Sequence, residues 1–170
     1  MLTIEPLSPR LLTDFKTVRL RALKDTPSAF GRTYAEESKF SEAEWRKRVT
    51  TWNSGTHSVC YIAKDGHAPC GIIACYLDDH DPPRPNVASM WVAPSHRRTG
   101  LGTRLLNEVQ RWAQDLANSQ LRLMVTSGNA AAIRFYKRYG FVLTGIIEPY
   151  PPNPALHQCE MILIARWGLR

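Results

Sequence analysis

Five apolar residues, Leu101, Leu105, Val109, Trp112 and Leu116, recur at spacings of four, four, three and four, which puts them on one face of a helix. On either side lie two apolar runs, VASMWVA (87–93) and LRLMV (121–125), which are too short for helices and read as strands. A helix with one apolar face between two such strands must bury that face on the sheet they build, so this part of the chain is committed to an α/β layer. Its surroundings supply sheet neighbours. VCYIA (59–63) and PCGIIACYL (69–77) read as two strands joined at Asp65-Gly66-His67, where Asp-Gly is a hairpin signal. FVLTGII (141–147) and CEMILIA (159–165) read as two more, and residues 2–4 as a short edge strand.

Helical spacing returns elsewhere. Leu11, Phe15, Val18 and Ala22 predict a helix that Thr26-Pro27 ends. Residues 34–51, with Trp45 and Val49, predict a more exposed helix opened by Ser41, and residues 129–139 another with Ala132, Phe135 or Tyr136, and Tyr139 inward. The proline-rich stretches 78–86 and 149–154 read as irregular loops, because proline has no N–H to give a ladder. No repeat or linker divides the chain, so residues 1–170 are expected to form a single domain.

Composition narrows the function classes. The net charge of +7 favours anionic partners such as nucleic acid, an acidic membrane or a polyphosphate. No clustered basic face with interleaved aromatics supports nucleic-acid binding, and no apolar stretch is long enough to suggest a membrane span. MLTIEPLSPR does not read as a signal peptide. Cys60, Cys70, Cys75 and Cys159 form no C-x-x-C pair, and His57, His67, His80, His96 and His157 have no ligand spacing. Reduced thiols, no metal and a cytoplasmic location are therefore expected.

The densest positive pair, Arg97 and Arg98, opens a loop that leads into the best helix. The segment V92-A-P-S-H-R-R-T-G-L-G-T-R-L-L106 contains Arg97-x-x-Gly100-x-Gly102. Glycines let a backbone approach a ligand closely. A helix start offers unpaired N–H groups and the positive end of its dipole. Together they form a cradle for a pyrophosphate. It is neither a Walker loop, since no Gly-Lys follows, nor the dinucleotide fingerprint, whose third glycine would fall at Leu105. A plain tight turn before a helix is the structural alternative.

A second segment, V125-T-S-G-N-A-A-A-I-R-F-Y-K-R-Y-G-F141, follows. The two together resemble the GNAT superfamily of N-acetyltransferases. That family pairs V-x-P-x-x-[RQ]-x-x-G-x-G with a downstream N-x-x-A-x-x-[FL]-Y-x-x-x-G-F, and both stand here in order. The resemblance implies the GNAT acyl-CoA N-acyltransferase fold, α/β with a mixed, mostly antiparallel sheet of about six or seven strands flanked by about four helices. It implies acetyl-CoA as co-substrate. The backbone of Met90, Trp91 and Val92 would pair with the pantetheine arm. Arg98, Thr99, Gly100, Leu101, Gly102 and Thr103 would wrap the pyrophosphate, with Arg97 opening the loop. Asn129, with Ala132 on the same helix, would contact the cofactor, and Tyr136 would stand near the thioester sulfur as general acid.

The chemistry suits these residue types. An amine attacking a thioester creates an oxyanion, for which a backbone N–H on strand 88–92 is the candidate donor. The departing thiolate needs a proton, which a tyrosine can give. Tyr136 could instead be a core aromatic, and Asn129 a helix cap. One branch of the family, which acetylates ribosomal-protein N-termini, carries a Glu where this chain has Met124. The general base stays unassigned among Asp78, Asp79, His80, Glu148 or a water. Glu36 and Glu37 could recognise a cationic amine, and Tyr150 in the 149–154 loop could hold a small substrate or merely pack. The implied reaction is acetyl transfer to a primary amine of a small molecule or peptide. A non-catalytic acetyl-CoA sensor and a protein N-terminal or lysine acetyltransferase are the alternatives. A homodimer is left open.

Overall fold

The computed structural model describes residues 1–164. Its strands are β1 (Leu2–Pro6), β2 (Ser58–Asp65), β3 (Ala68–Leu77), β4 (Pro85–Val92), β5 (Gln120–Thr126), β6 (Val142–Tyr150) and β7 (Asn153–Ile164). They form one seven-stranded sheet in the order β1-β2-β3-β4-β5-β7-β6. Every neighbouring pair is antiparallel except β4 and β5. The helices are α1 (Leu12–Asp25), α2 (Tyr34–Glu37), α3 (Glu42–Trp52), α4 (Leu101–Asp115) and α5 (Ala130–Tyr139). Residue 165, the end of the strand expected over 159–165, lies outside the described residues.

Local chemistry sets the helix ends. Ser41 caps α3 through a reciprocal pair with Glu44, and Thr33 caps α2 in the same way with Glu36. The period-two alternation of β4 then sorts the layers. The Trp91 indole meets α1, donating to Asp25 at 2.9 Å and lying 5.4 Å below the Arg21 guanidinium. Met90, one residue earlier, reaches toward Gly102 on α4. So α1 and α4 cover opposite faces of the sheet. On the first face α3 packs on α1, with the Phe15 and Trp45 rings edge to face at 5.8 Å. On the second, Leu105 and Val109 of α4 are fully buried, and the Leu105 side chain fills the space left by Gly71. Leu105→Ala should therefore cost about 2–5 kcal/mol in urea unfolding; a loss well under 1 kcal/mol would mean the site had collapsed around the deletion.

Both expected loops are shorter than predicted: residues 78–84 are irregular, but the strands take up the rest of 78–86 and much of 149–154. Pro85 is the first residue of β4, opposite Leu77, a position where its missing N–H costs no ladder bond. Within 149–154, β6 runs on to Tyr150 and β7 starts at Asn153, leaving a tight turn. Pro149 is tolerated because β6 is the outermost strand, and the register shifts beside it.

Candidate active site

Among the described residues β4 and β5 pair at one position, Asn86 opposite Arg122, where the guanidinium donates to Asn86 Oδ1 at 2.8 Å. Beyond it the strands part. The gap is a cleft of about 80 Å³ walled by Ala88, Ser89 and Met90 of β4, by residues 123–126 of β5, and by Asn129, Ala132 and Tyr136. A wider cleft of about 400 Å³ shares Thr126 and Asn129 with it and is bounded by Thr26, Ser28 and His157. On its other edge β4 is bulged. The register with β3 jumps from Ile72–Trp91 to Ala74–Ala88, so Ser89 and Met90 stand together opposite Ile73. Ser89 has φ 54°, a conformation rare for a residue other than glycine.

The start of α4 has the form of an anion cradle. Gly100 is left-handed at φ 86° and Arg98 at φ 61°, and no side chain caps the helix. The Thr99 hydroxyl bonds back to His96 O at 2.7 Å and ties the loop down. A Cβ on Gly102 would lie 2.9 Å from the Phe135 ring and 3.3 Å from the Met90 side chain, so the glycine is required for α4 to meet α5. Leu101 is buried in the core, whereas Thr103 is exposed at the cradle. An open helix start led by glycine is the right donor set for a pyrophosphate.

Arg97 opens the loop as expected and is tied down from outside it. Its Nε donates to Val92 O at 3.0 Å and its terminal nitrogen pairs with Asp25. The side chain thereby links α1 to β4. Asn129 accepts from Ala132 N at 3.1 Å, which makes it the cap of α5 while it also lines both clefts. Tyr136 is buried, with its ring 5.6 Å from Phe141, and among the described residues its hydroxyl has no hydrogen-bond partner. Burial raises its phenol well above the ordinary value of 10.

Other expectations are corrected. Glu37 does not face solvent to meet an amine. It is fully buried between Arg19 and Arg48, and Glu36 is spent on the Thr33 cap. The Tyr150 ring is buried and its hydroxyl donates to Phe30 O, so it packs. None of Asp78, Asp79, His80 and Glu148 lines either cleft. Burial favours the neutral form of Asp78, but bonds from the Arg84 backbone and guanidinium, from His80 N and from Asn86 outweigh it and hold the carboxyl far below the usual range. The cross-strand partner of Met124 is Glu160, which is paired with Arg122. Burial pushes its carboxyl up, but Arg122 and Thr144 bring it below its ordinary value. Sequence reasoning missed Ser89, Arg19 and Asp25. Their partners lie 18 to 72 positions away, so no local spacing announces them.

A strand pair that splays beside a glycine-led helix start, with a buried tyrosine on its wall, is the arrangement that the resemblance to acyl-CoA-dependent N-acetyltransferases implies. Residues 21–141 match the acetyltransferase (GNAT) family, and the chain belongs to that family. It is 36% identical over 63 residues to streptothricin acetyltransferase of Streptomyces lavendulae, covering 37% of this chain and 33% of that protein. It is 26% identical over 124 residues to streptothricin acetyltransferase A of Bacillus subtilis, covering 67% of each. A GNAT-family acetyltransferase structure from Streptococcus pneumoniae superposes with a TM-score of 0.82 at 19% identity, over 97% of this chain and 99% of that one. The match thus spans only about a third of the length of the Streptomyces relative.

No described helix is long and apolar enough to cross a membrane. All four cysteines are free, and burial raises the Cys60 thiol to about 12, which keeps it inert.

Proposed function

We propose that this protein transfers the acetyl group of acetyl-CoA to a primary amine of a small molecule or peptide by direct attack. The observation that carries this is the parting of β4 from β5 after one pair, which opens a cleft lined by the β4 bulge and Tyr136, while the uncapped, glycine-led start of α4 follows β4 in the chain. Backbone N–H groups at residues 98–103 hold the pyrophosphate, and the edge of β4 at residues 90–92 takes the pantetheine arm as an added strand. Acetyl-CoA supplies the activated thioester. The bulged stretch of β4 offers a backbone N–H to the developing oxyanion. Tyr136, kept protonated by its dry surroundings, donates toward the sulfur as negative charge builds there. The amine enters through the wider cleft, whose side chains include the hydroxyls of Thr26, Ser28 and Ser127. Among the described residues no carboxylate lines either cleft, so we assign the amine's proton to water.

The test is release of free CoA from acetyl-CoA in the presence of amines. Streptothricin heads the panel, because two relatives carry its name, followed by polyamines, amino acids and short peptides. Turnover with one class names the acceptor. Tight binding of acetyl-CoA with no turnover is the behaviour of a sensor, and absence of binding would overturn the proposal. A second measurement probes the cradle. Gly102→Val should weaken acetyl-CoA binding at least about tenfold by calorimetry, because the new side chain pushes the helix start off Phe135. Unchanged affinity would place the pyrophosphate elsewhere.

A further inference from the structure

The bulge in β4 is held from outside the sheet. Ser89 sits in a left-handed conformation that a non-glycine residue keeps only when its surroundings impose it. Its hydroxyl accepts from an Arg19 terminal nitrogen at 2.9 Å. That guanidinium is itself fixed. Its Nε and other terminal nitrogen donate to the two oxygens of Glu37 at 2.9 and 2.7 Å, and its carbon lies 4.9 Å from the centre of the Phe30 ring. Glu37 is fully buried and takes a further bond from Arg48 on α3 at 2.9 Å. Arg19, on α1 and 4% exposed, therefore joins α1, α2, the segment after α1 and the β4 bulge at one rigid fork.

We infer that Arg19 is a positioning residue for acetyl transfer, setting through Ser89 the backbone of the β4 bulge that lines the cleft. This rests on the reading of the cleft as the acetyl-transfer site. A fork held by a buried carboxylate loses little freedom when it bonds, so it can pin a strained residue. Oxyanion donors act only when their direction is fixed in advance, and small misplacements of the reacting geometry cost rate while binding is kept. The cluster holds two guanidinium groups and one carboxylate, which also favours negative charge at the bulge.

Removing Arg19 itself would strand Glu37 and endanger the fold, so the test is placed on Ser89. Glycine adopts the left-handed conformation freely but offers no acceptor, whereas asparagine tolerates it and carries an amide oxygen. If Ser89 merely tolerates its backbone angle, Ser89→Gly is neutral or better. On the present inference Ser89→Gly lowers kcat by about tenfold or more while affinity for acetyl-CoA stays near wild type, and Ser89→Asn recovers much of the loss. Hydrogen–deuterium exchange of residues 88–92 in the free protein is the second readout. It should rise in Ser89→Gly and less in Ser89→Asn, whether or not an acceptor has been found. Unchanged exchange would overturn the clamp, and faster exchange with wild-type kcat would overturn its part in the chemistry. Loss of acetyl-CoA binding by the wild type would instead count against the reading of the cleft.

Discussion

Tyr136→Phe should lower kcat by about 10²–10³ with little change in the KM for acetyl-CoA. The variant removes one oxygen that has no hydrogen-bond partner among the described residues, so the core of Phe135, Tyr136 and Phe141 keeps its packing and the Tm should stay close to wild type. Loss of activity without loss of stability is what separates a proton donor from a core aromatic. A variant with wild-type kcat would leave Tyr136 with only its packing role. The pH profile carries a second signature. Burial raises the phenol, so it stays protonated through alkaline pH and no descending limb near 10 is expected from it. The rate should climb with pH as the acceptor amine loses its proton, and then level off.

Glu37→Gln should destabilise the fold by about 3–5 kcal/mol in urea unfolding, because it leaves Arg19 and Arg48 buried without their counter-charge. The pH dependence follows from the same cluster. Burial favours the neutral carboxyl, but the Arg19 and Arg48 bonds and charges outweigh it, so the folded Glu37 titrates below its ordinary 4.5. The unfolded chain then takes up the proton first as pH falls. The contribution of Glu37 is complete above about pH 4.5 and is lost as pH drops through the folded value. Wild-type stability should fall steeply in that acidic window, and Glu37→Gln should show a shallower slope there. Identical slopes would mean that other carboxylates control the acid transition.

The buried charge also shows why part of the site could not be read ahead. On a helical wheel Glu36 and Glu37 look like a solvated, acidic helix start. Only the packing of α2 against α1 and α3 places Glu37 between two arginines that sit 18 residues before it and 11 after it. Arg97 presents the same difficulty. Its position in the loop gives no sign of Asp25, 72 residues earlier, with which it pairs once α1 lies over β4.

By itself the sequence determined the layer architecture and the turn that opens α4. Apolar spacing made α4 a helix that must cover a sheet, and Gly100 marked the left-handed residue at its start. Both depend on neighbours within a turn or two of chain, which a linear pattern records. Tertiary structure decided the order in which β7 slots between β5 and β6, the parting of β4 from β5 after a single pair, the positive φ of Ser89, and the fork of Arg19. These are outcomes of side chains distant in sequence competing for the same buried space and the same hydrogen bonds, and that competition is settled only when the chain is folded.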